Sequence, residues 1–223
     1  AQDPLARSVP SMWSHSPSPY GPIAMGYSAV ISWITQDQIL WAVLLHRTVA
    51  VLGLALASWA LVRLAKRCRV APQTAMWLGI LNPLAILHLV GGIHNESIML
   101  GLLLVGMELG LRGVDKLEKS TRSAYLALIA SGVFLSCAGM VKVTGFIGLG
   151  FVGMAYARHL IDKERASRWK ALAYAIALQL VILIATIALI SALTGIGLGW
   201  ITGQGGAASI RSWLSTSTAV GVG

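Results

Sequence analysis

The chain has 223 residues, of which 56% are hydrophobic and 11% charged, with a net charge of +9 and a mean hydropathy of +0.74. Soluble domains carry roughly 25% charged residues, so this chain cannot cover itself with polar surface and its natural solvent is a bilayer. The basic charge does not indicate nucleic acid, because Lys and Arg sit in short clusters between apolar runs, as orientation signals do. Cys68 and Cys137, one in a basic loop and one in an apolar run, do not make a disulfide framework.

Residues 1–35 read as a polar loop followed by a short apolar segment. Five prolines fall in the first 22 residues and no basic-then-apolar signal peptide opens the chain. We read it as part of a longer protein. The segment Ile23 to Ile34 is short for a crossing, and Tyr27 and Trp33 suit a headgroup region. Residues 36–194 then predict an all-α, polytopic membrane domain of about six transmembrane helices. The expected crossings are Ile39–Leu64, Thr74–Val90 (broken by Asn82-Pro83), Ile98–Leu111, Ser123–Met140, Thr144–Ala157 and Ala171–Leu193. Residues 195–223 form a Gly/Ser-rich tail.

Three loops hold thirteen of the 17 Lys and Arg residues. They follow the first, third and fifth crossings, so all three lie on one side, which the positive-inside rule makes cytoplasmic. The N-terminal segment, the Gly91–Ser97 loop, the turn at Lys142 and the tail then face the other side, across a plasma membrane. No internal repeat of the kind found in inverted-repeat transporters is evident.

Few polar residues remain to carry chemistry. Glu96 closes Gly-Gly-Ile-His-Asn-Glu. It sits well in the first turn of a helix that Asn95 caps, or, with His94 and Asn95, it does acid–base work on a hydroxyl. Lys142 is the one charge between Ala124 and Ala157. It is a lysine snorkelling at a turn, or a mobile point charge for a phosphate. Arg47, beside His46, and Glu108 lie at similar expected depths; either Arg47 faces a polar interior or the two pair as a scaffold bridge, and Glu108 is read as scaffold. His88 and His94 are too few for zinc, and no metal or other cofactor is predicted. Tyr20 and its proline-rich loop read first as shape; the alternative is an aromatic that stacks on a sugar ring. The sequence holds no P-loop, no dinucleotide fingerprint and no GxSxG or zinc-protease motif.

Ser18-Pro19-Tyr20-Gly21-Pro22, then Leu81-Asn82-Pro83-Leu84 leading to His88 and Gly91-Gly92-Ile93-His94-Asn95-Glu96, then Gly139-Met140-Val141-Lys142-Val143-Thr144, together resemble a known family. It is the polyprenyl-phosphomannose-dependent α-1,6-mannosyltransferases of mycobacteria and corynebacteria, within the GT-C superfamily. The resemblance runs over most of residues 15–160 and is most specific from Asn82-Pro83 to Glu96. It implies an all-helical GT-C-like fold with short outer re-entrant or interfacial elements. It also implies mannosyl transfer, with inversion, from a lipid-linked donor in the outer leaflet to a mannan or lipoglycan acceptor of the lipomannan type.

In that reading a carboxylate deprotonates the acceptor hydroxyl, with Glu96 as its candidate. His94, Asn95, Tyr20 and His88 handle the sugars. Lys142, backed by Arg47, meets the leaving phosphate. Two departures stand out: Glu96 occupies a position where the family pattern has Asp, and the family's principal carboxylate belongs to a first outer loop, which implies a base upstream of residue 1. Asp3 and Asp37 are the other acids expected on that side. A lipid or small-solute transporter or flippase is the alternative, using Arg47, Glu108 and the Pro83 break to line a midplane path. A non-catalytic assembly subunit is the third.

Overall fold

The computed structural model describes residues 18–36 and 38–203, so Asp3, Asp37 and most of the tail lie outside the described residues. Among the described residues every regular element is helical. Helix α1 (Pro22–Thr35) starts on a proline, whose fixed φ and missing N–H suit a first helical position. Helix α2 (Ile39–Arg67) ends on Lys66 and Arg67, cations favoured by the negative end of the helix dipole.

Helix α3 (Pro72–Gly79) and helix α4 (Pro83–Gly91) are two halves bent by 47°. Pro83 lacks the N–H that would continue the ladder, and Asn82 secures both halves. Its Nδ2 donates to Leu78 O at 2.8 Å and its Oδ1 accepts from the Ala85 N–H at 2.8 Å. The second half winds as a π-helix over Ile86–Gly91, a form concentrated at functional sites. Helix α5 (Glu96–Lys116) and helix α6 (Thr121–Val141) follow. A short 3₁₀ turn over Val143–Phe146 leads to helix α7 (Ile147–Asp162), then helix α8 (Arg168–Thr194) and the one-turn α9 (Gly199–Thr202).

Helices α2, α5, α6 and α8 are long and apolar enough to cross a membrane, and the α3–α4 pair makes a fifth if it is one bent span. Helix α7, the fifth expected crossing, has 16 residues, because the chain is extended at Lys142 and 3₁₀ immediately after it.

Helix α5 is central and packs on both α2 and α6. Small residues let the backbones approach. A Cβ on Gly101 would lie 2.5 Å from Gly53 O, and the buried Ser97 hydroxyl donates to Ala50 O. Ser131 Oγ donates to Gly106 O at 2.6 Å across the α5–α6 contact. Apolar side chains such as Leu52 and Val181 face outward on the peripheral α2 and α8.

The Ala50–Ser97 and Gly53–Gly101 contacts fix the register of the parallel helices α2 and α5. A residue of α2 stands level with the residue 47 or 48 positions later in α5. The Arg47–Glu108 bridge is therefore not formed. Arg47 stands level with His94 and Asn95, whereas Glu108 is roughly 20 Å farther along the axis at ~1.5 Å per residue. Glu108 instead accepts from Arg67 Nε at 2.9 Å, and Arg67 Nη1 reaches Asp115 Oδ2 at 2.6 Å. With Lys163 Nζ on Glu118 at 3.0 Å, these pairs define the basic end of the bundle.

Candidate functional site

The opposite end gathers the polar residues singled out from the sequence. Its base is the junction between α6 and the 3₁₀ turn, where Lys142 leaves the helix in an extended conformation. The Tyr20-Gly21-Pro22 loop clamps this junction. Gly21 N–H donates to Val141 O at 3.3 Å, and a Cβ on Gly21 would collide with the carbonyl of Met140. Only glycine fits so close to another backbone. Tyr20 packs half-buried in an apolar cluster with Ala24, Met99, Ala138 and Val141.

Lys142 Nζ donates to Glu96 Oε1, joining the end of α6 to the first residue of α5. Glu96 Oε2 lies 3.6 Å from His94 Nδ1 and is buried with no hydrogen-bond partner. Buried polar oxygens are rarely left without a hydrogen bond. His94 in turn stacks on His88, with ring centroids 4.0 Å apart and planes 18° off parallel. The approach of the two histidines depends on Gly92, where a Cβ would lie 2.6 Å from His88 O and 2.8 Å from His94 Cδ2. The next residue, Ile93, has φ of +53°, a left-handed conformation that is an outlier for a β-branched side chain. Strain of this kind clusters at active sites and ligand clamps. Among the described residues no group of three or more His, Cys, Asp and Glu is arranged to hold a metal.

Asn95 does not cap α5. Its backbone is already helical and its side chain makes no capping bond; its Oδ1 instead accepts from the Tyr27 hydroxyl. Tyr27 is the residue that sequence reasoning missed, having been placed only as an interfacial aromatic. Its one sequence signal is a polar Tyr27-Ser28 pair inside an apolar stretch, and both members engage α2. The Tyr27 ring lies edge-on to His46 at 6.0 Å, and Ser28 Oγ is 3.3 Å from His46 Nε2. Burial, then the neighbouring Tyr20 and Glu96, push the Tyr27 phenol up to about 12, so it stays a neutral donor at physiological pH.

The structure thus brings together His88, His94, Asn95, Glu96 and Lys142, with Tyr20 and Tyr27 against them. Arg47 stands at the same level but is exposed on α2, with no ion pair among the described residues. The two charges expected to line one midplane path lie apart along the bundle: Arg47 is the ninth residue of α2, towards the site end, and Glu108 pairs with Arg67, the last residue of α2.

A chain whose described residues form only helices, at least four of them of membrane length, with a cation–carboxylate–imidazole cluster at one end, is a polytopic membrane protein with a polar site at one rim. The chain belongs to the alpha-(1->6)-mannopyranosyltransferase family, whose N-terminal domain model matches residues 1–158. It is 56% identical to alpha-(1->6)-mannopyranosyltransferase B of Corynebacterium glutamicum over 220 residues, which cover 98% of this chain and 36% of that relative. A probable alpha-(1->6)-mannopyranosyltransferase of Mycolicibacterium smegmatis is 37% identical, over 97% of this chain and 40% of its own length. Alpha-(1->6)-mannopyranosyltransferase A of Mycobacterium tuberculosis is 33% identical, over 96% of this chain and 39% of its own. The chain thus spans somewhat over a third of the length of these curated relatives. No solved structure matches it.

Proposed function

We propose that this chain is the donor-handling part of a GT-C-type membrane mannosyltransferase, crossing the plasma membrane six times with the site end non-cytoplasmic. Mannose moves from polyprenyl phosphomannose to the growing α-1,6-linked mannan of a lipoglycan acceptor. The observation that carries this reading is the Lys142–Glu96 pair, whose carboxylate keeps one buried oxygen without a hydrogen bond, 3.6 Å from the His94 imidazole. The mannosyl transfer comes from the relatives, which are named as alpha-(1->6)-mannopyranosyltransferases.

In this reaction the acceptor hydroxyl attacks the anomeric carbon, the bond from that carbon to the phosphate oxygen breaks, and polyprenyl phosphate leaves with inversion. Charge develops on the leaving phosphate, and a preorganised cation there lowers the barrier. Lys142 fills that role, and the exposed Arg47, level with the site, is the second cation. Glu96 takes the acceptor's proton on Oε2. While Lys142 is given wholly to Glu96, the carboxylate is a weak base. An arriving phosphate draws Lys142 between two anions and makes Glu96 the better base, so donor binding arms the acceptor chemistry. His94 is close enough to pass the proton on. Asn95, held by Tyr27, and the stacked histidines present polar edges and a ring face to the sugars.

The test is transfer of labelled mannose from polyprenyl phosphomannose in membranes by the full-length protein, compared with Lys142→Ala and Glu96→Gln. Each variant is first checked for insertion and folding. A loss of about 100-fold or more in both, the scale of removing one transition-state contact, is expected. Normal transfer in both sinks these roles.

A further inference from the structure

At the basic end, opposite the candidate site, α2 and α5 frame an open cavity of about 420 Å³ lined by Arg63, Lys66, Arg67, Glu108, Arg112 and Asp115. Helical spacing puts them there. Arg63, Lys66 and Arg67 share one face of α2, and Glu108, Arg112 and Asp115 share one face of α5. In the register set by Ala50–Ser97 and Gly53–Gly101, Arg112 stands level with residues 64 and 65, among the cations of α2.

The charges do not balance within the cavity. Both carboxylates are committed to one arginine, Arg67, whose Nε donates to Glu108 and whose Nη1 donates to Asp115. Arg63, Lys66 and Arg112 make no ion pair among the described residues. A topology signal requires cations at this end but not three of them around one hollow. Elsewhere at the same end cations find acids: Arg158 pairs with Asp162 and Lys163 with Glu118. Three uncompensated cations suit a phosphate, with forked donors from the two arginines and a mobile point charge from the lysine.

Trp59 decides where that phosphate comes from. Its ring centroid lies 4.4 Å from the Arg63 guanidinium carbon. It sits one turn nearer the middle of the span and is 41% exposed on the peripheral α2. A free phosphate makes no use of that ring. In a phospholipid, the headgroup phosphate meets the arginines while the glycerol and upper acyl chains lie along the indole, at the depth where aromatic side chains sit in membranes. We infer that this cavity binds the phosphate of an anionic phospholipid in the leaflet at the basic end, with Arg63, Lys66 and Arg112 as its ligands and Trp59 beside the upper chains.

The test offers phosphatidylglycerol and phosphatidylcholine to the detergent-extracted full-length protein and counts retained lipid by native mass spectrometry. Preferential retention of phosphatidylglycerol is expected. Arg63→Gln with Arg112→Gln should lower it about tenfold, the scale of two cations near a charged headgroup. Lys119→Gln with Arg122→Gln removes the same charge outside the cavity lining and should leave retention unchanged. Equal loss in both double variants overturns the inference, as does equal retention of the two lipids by the unaltered protein. Inorganic phosphate at millimolar concentration should not displace the lipid; complete displacement would assign the cavity to a free phosphate instead. Thermal unfolding of the unaltered protein gives a reading that no misfolded variant can spoil. Phosphatidylglycerol should raise its melting temperature more than phosphatidylcholine does, and an equal rise overturns the inference.

Discussion

Lys142 donates to Glu96 across 46 residues of sequence, binding the unwound end of α6 to the first turn of α5. The lysine is 35% and the glutamate 24% exposed, so the pair is neither a screened surface bridge nor a sealed core one. Its stability role and its chemical role are separable. Lys142→Met and Glu96→Gln each leave a partly buried group without its partner and are expected to destabilise by roughly 1–3 kcal/mol. The double variant, with no charge left uncompensated, is expected to recover much of that. Transfer should stay lost in the double variant. Recovery of both stability and transfer would show that the pair is only a brace.

Tyr27 gives the second prediction. Tyr27→Phe removes the donor to Asn95 and is expected to lower transfer about tenfold, with roughly 1 kcal/mol lost in stability. The pH dependence has a definite sign. The phenol titrates near its ordinary value of 10.0 when unfolded and at about 12 when folded, so the native state holds the proton more tightly. Tyr27's stabilising contribution is complete below pH 10 and is lost as pH rises through about 12. The melting temperature of the extracted protein should fall across that window, and Tyr27→Phe should flatten the fall. A fall of equal depth in the variant would show that another group titrates there.

Much of the fold was legible from periodicity and charge. The four long spans agree with the expected ones to within a few residues, because apolar runs of that length between basic loops have few other folds open to them. Helix–helix register was not legible. Arg47 and Glu108 looked like partners when each was counted from its own helix end, yet the packing of Ser97 on Ala50 and of Gly101 on Gly53 offsets α2 from α5. The site was legible where residues adjoin in sequence, from His94 to Glu96. Tyr27 was hidden because its partner lies 68 residues away, and single-sequence periodicity holds no information about such pairs.

The basic end yields a stability prediction independent of chemistry. Glu108 is 6% exposed and Arg67 Nε is its charge partner at 2.9 Å. Removing one member of a buried ion pair strands the other, at a cost of roughly 3–5 kcal/mol. Arg67→Ala is therefore expected to reduce stability sharply, while Asp115→Asn, on the exposed side of the same arginine, changes it by less than about 1 kcal/mol. Adding Glu108→Gln to Arg67→Ala should restore most of the loss. Thermal unfolding of the extracted protein measures all three, and equal effects of Arg67→Ala and Asp115→Asn would refute the assignment of Glu108 as Arg67's main partner.

The loop that delivers His94 tests whether backbone strain serves the site. Ile93 is held at φ of +53°, where glycine is unstrained and a β-branched residue is not. Ile93→Gly relieves that strain but makes the unfolded chain more flexible, so the two effects oppose each other and stability should change by no more than about 1 kcal/mol. Its larger effect is to free the loop that fixes His94 over His88, and transfer should fall with little loss of stability. Gly92→Ala perturbs the same loop by a different route. The added methyl falls 2.6 Å from the His88 carbonyl, a backbone atom that cannot swing away, and 2.8 Å from the His94 ring. That variant should lose both transfer and stability. If the strained turn sets His94 for function, Ile93→Gly lowers transfer at nearly constant melting temperature; if the turn is only a way to connect α4 to α5, Ile93→Gly leaves transfer unchanged and only Gly92→Ala is impaired.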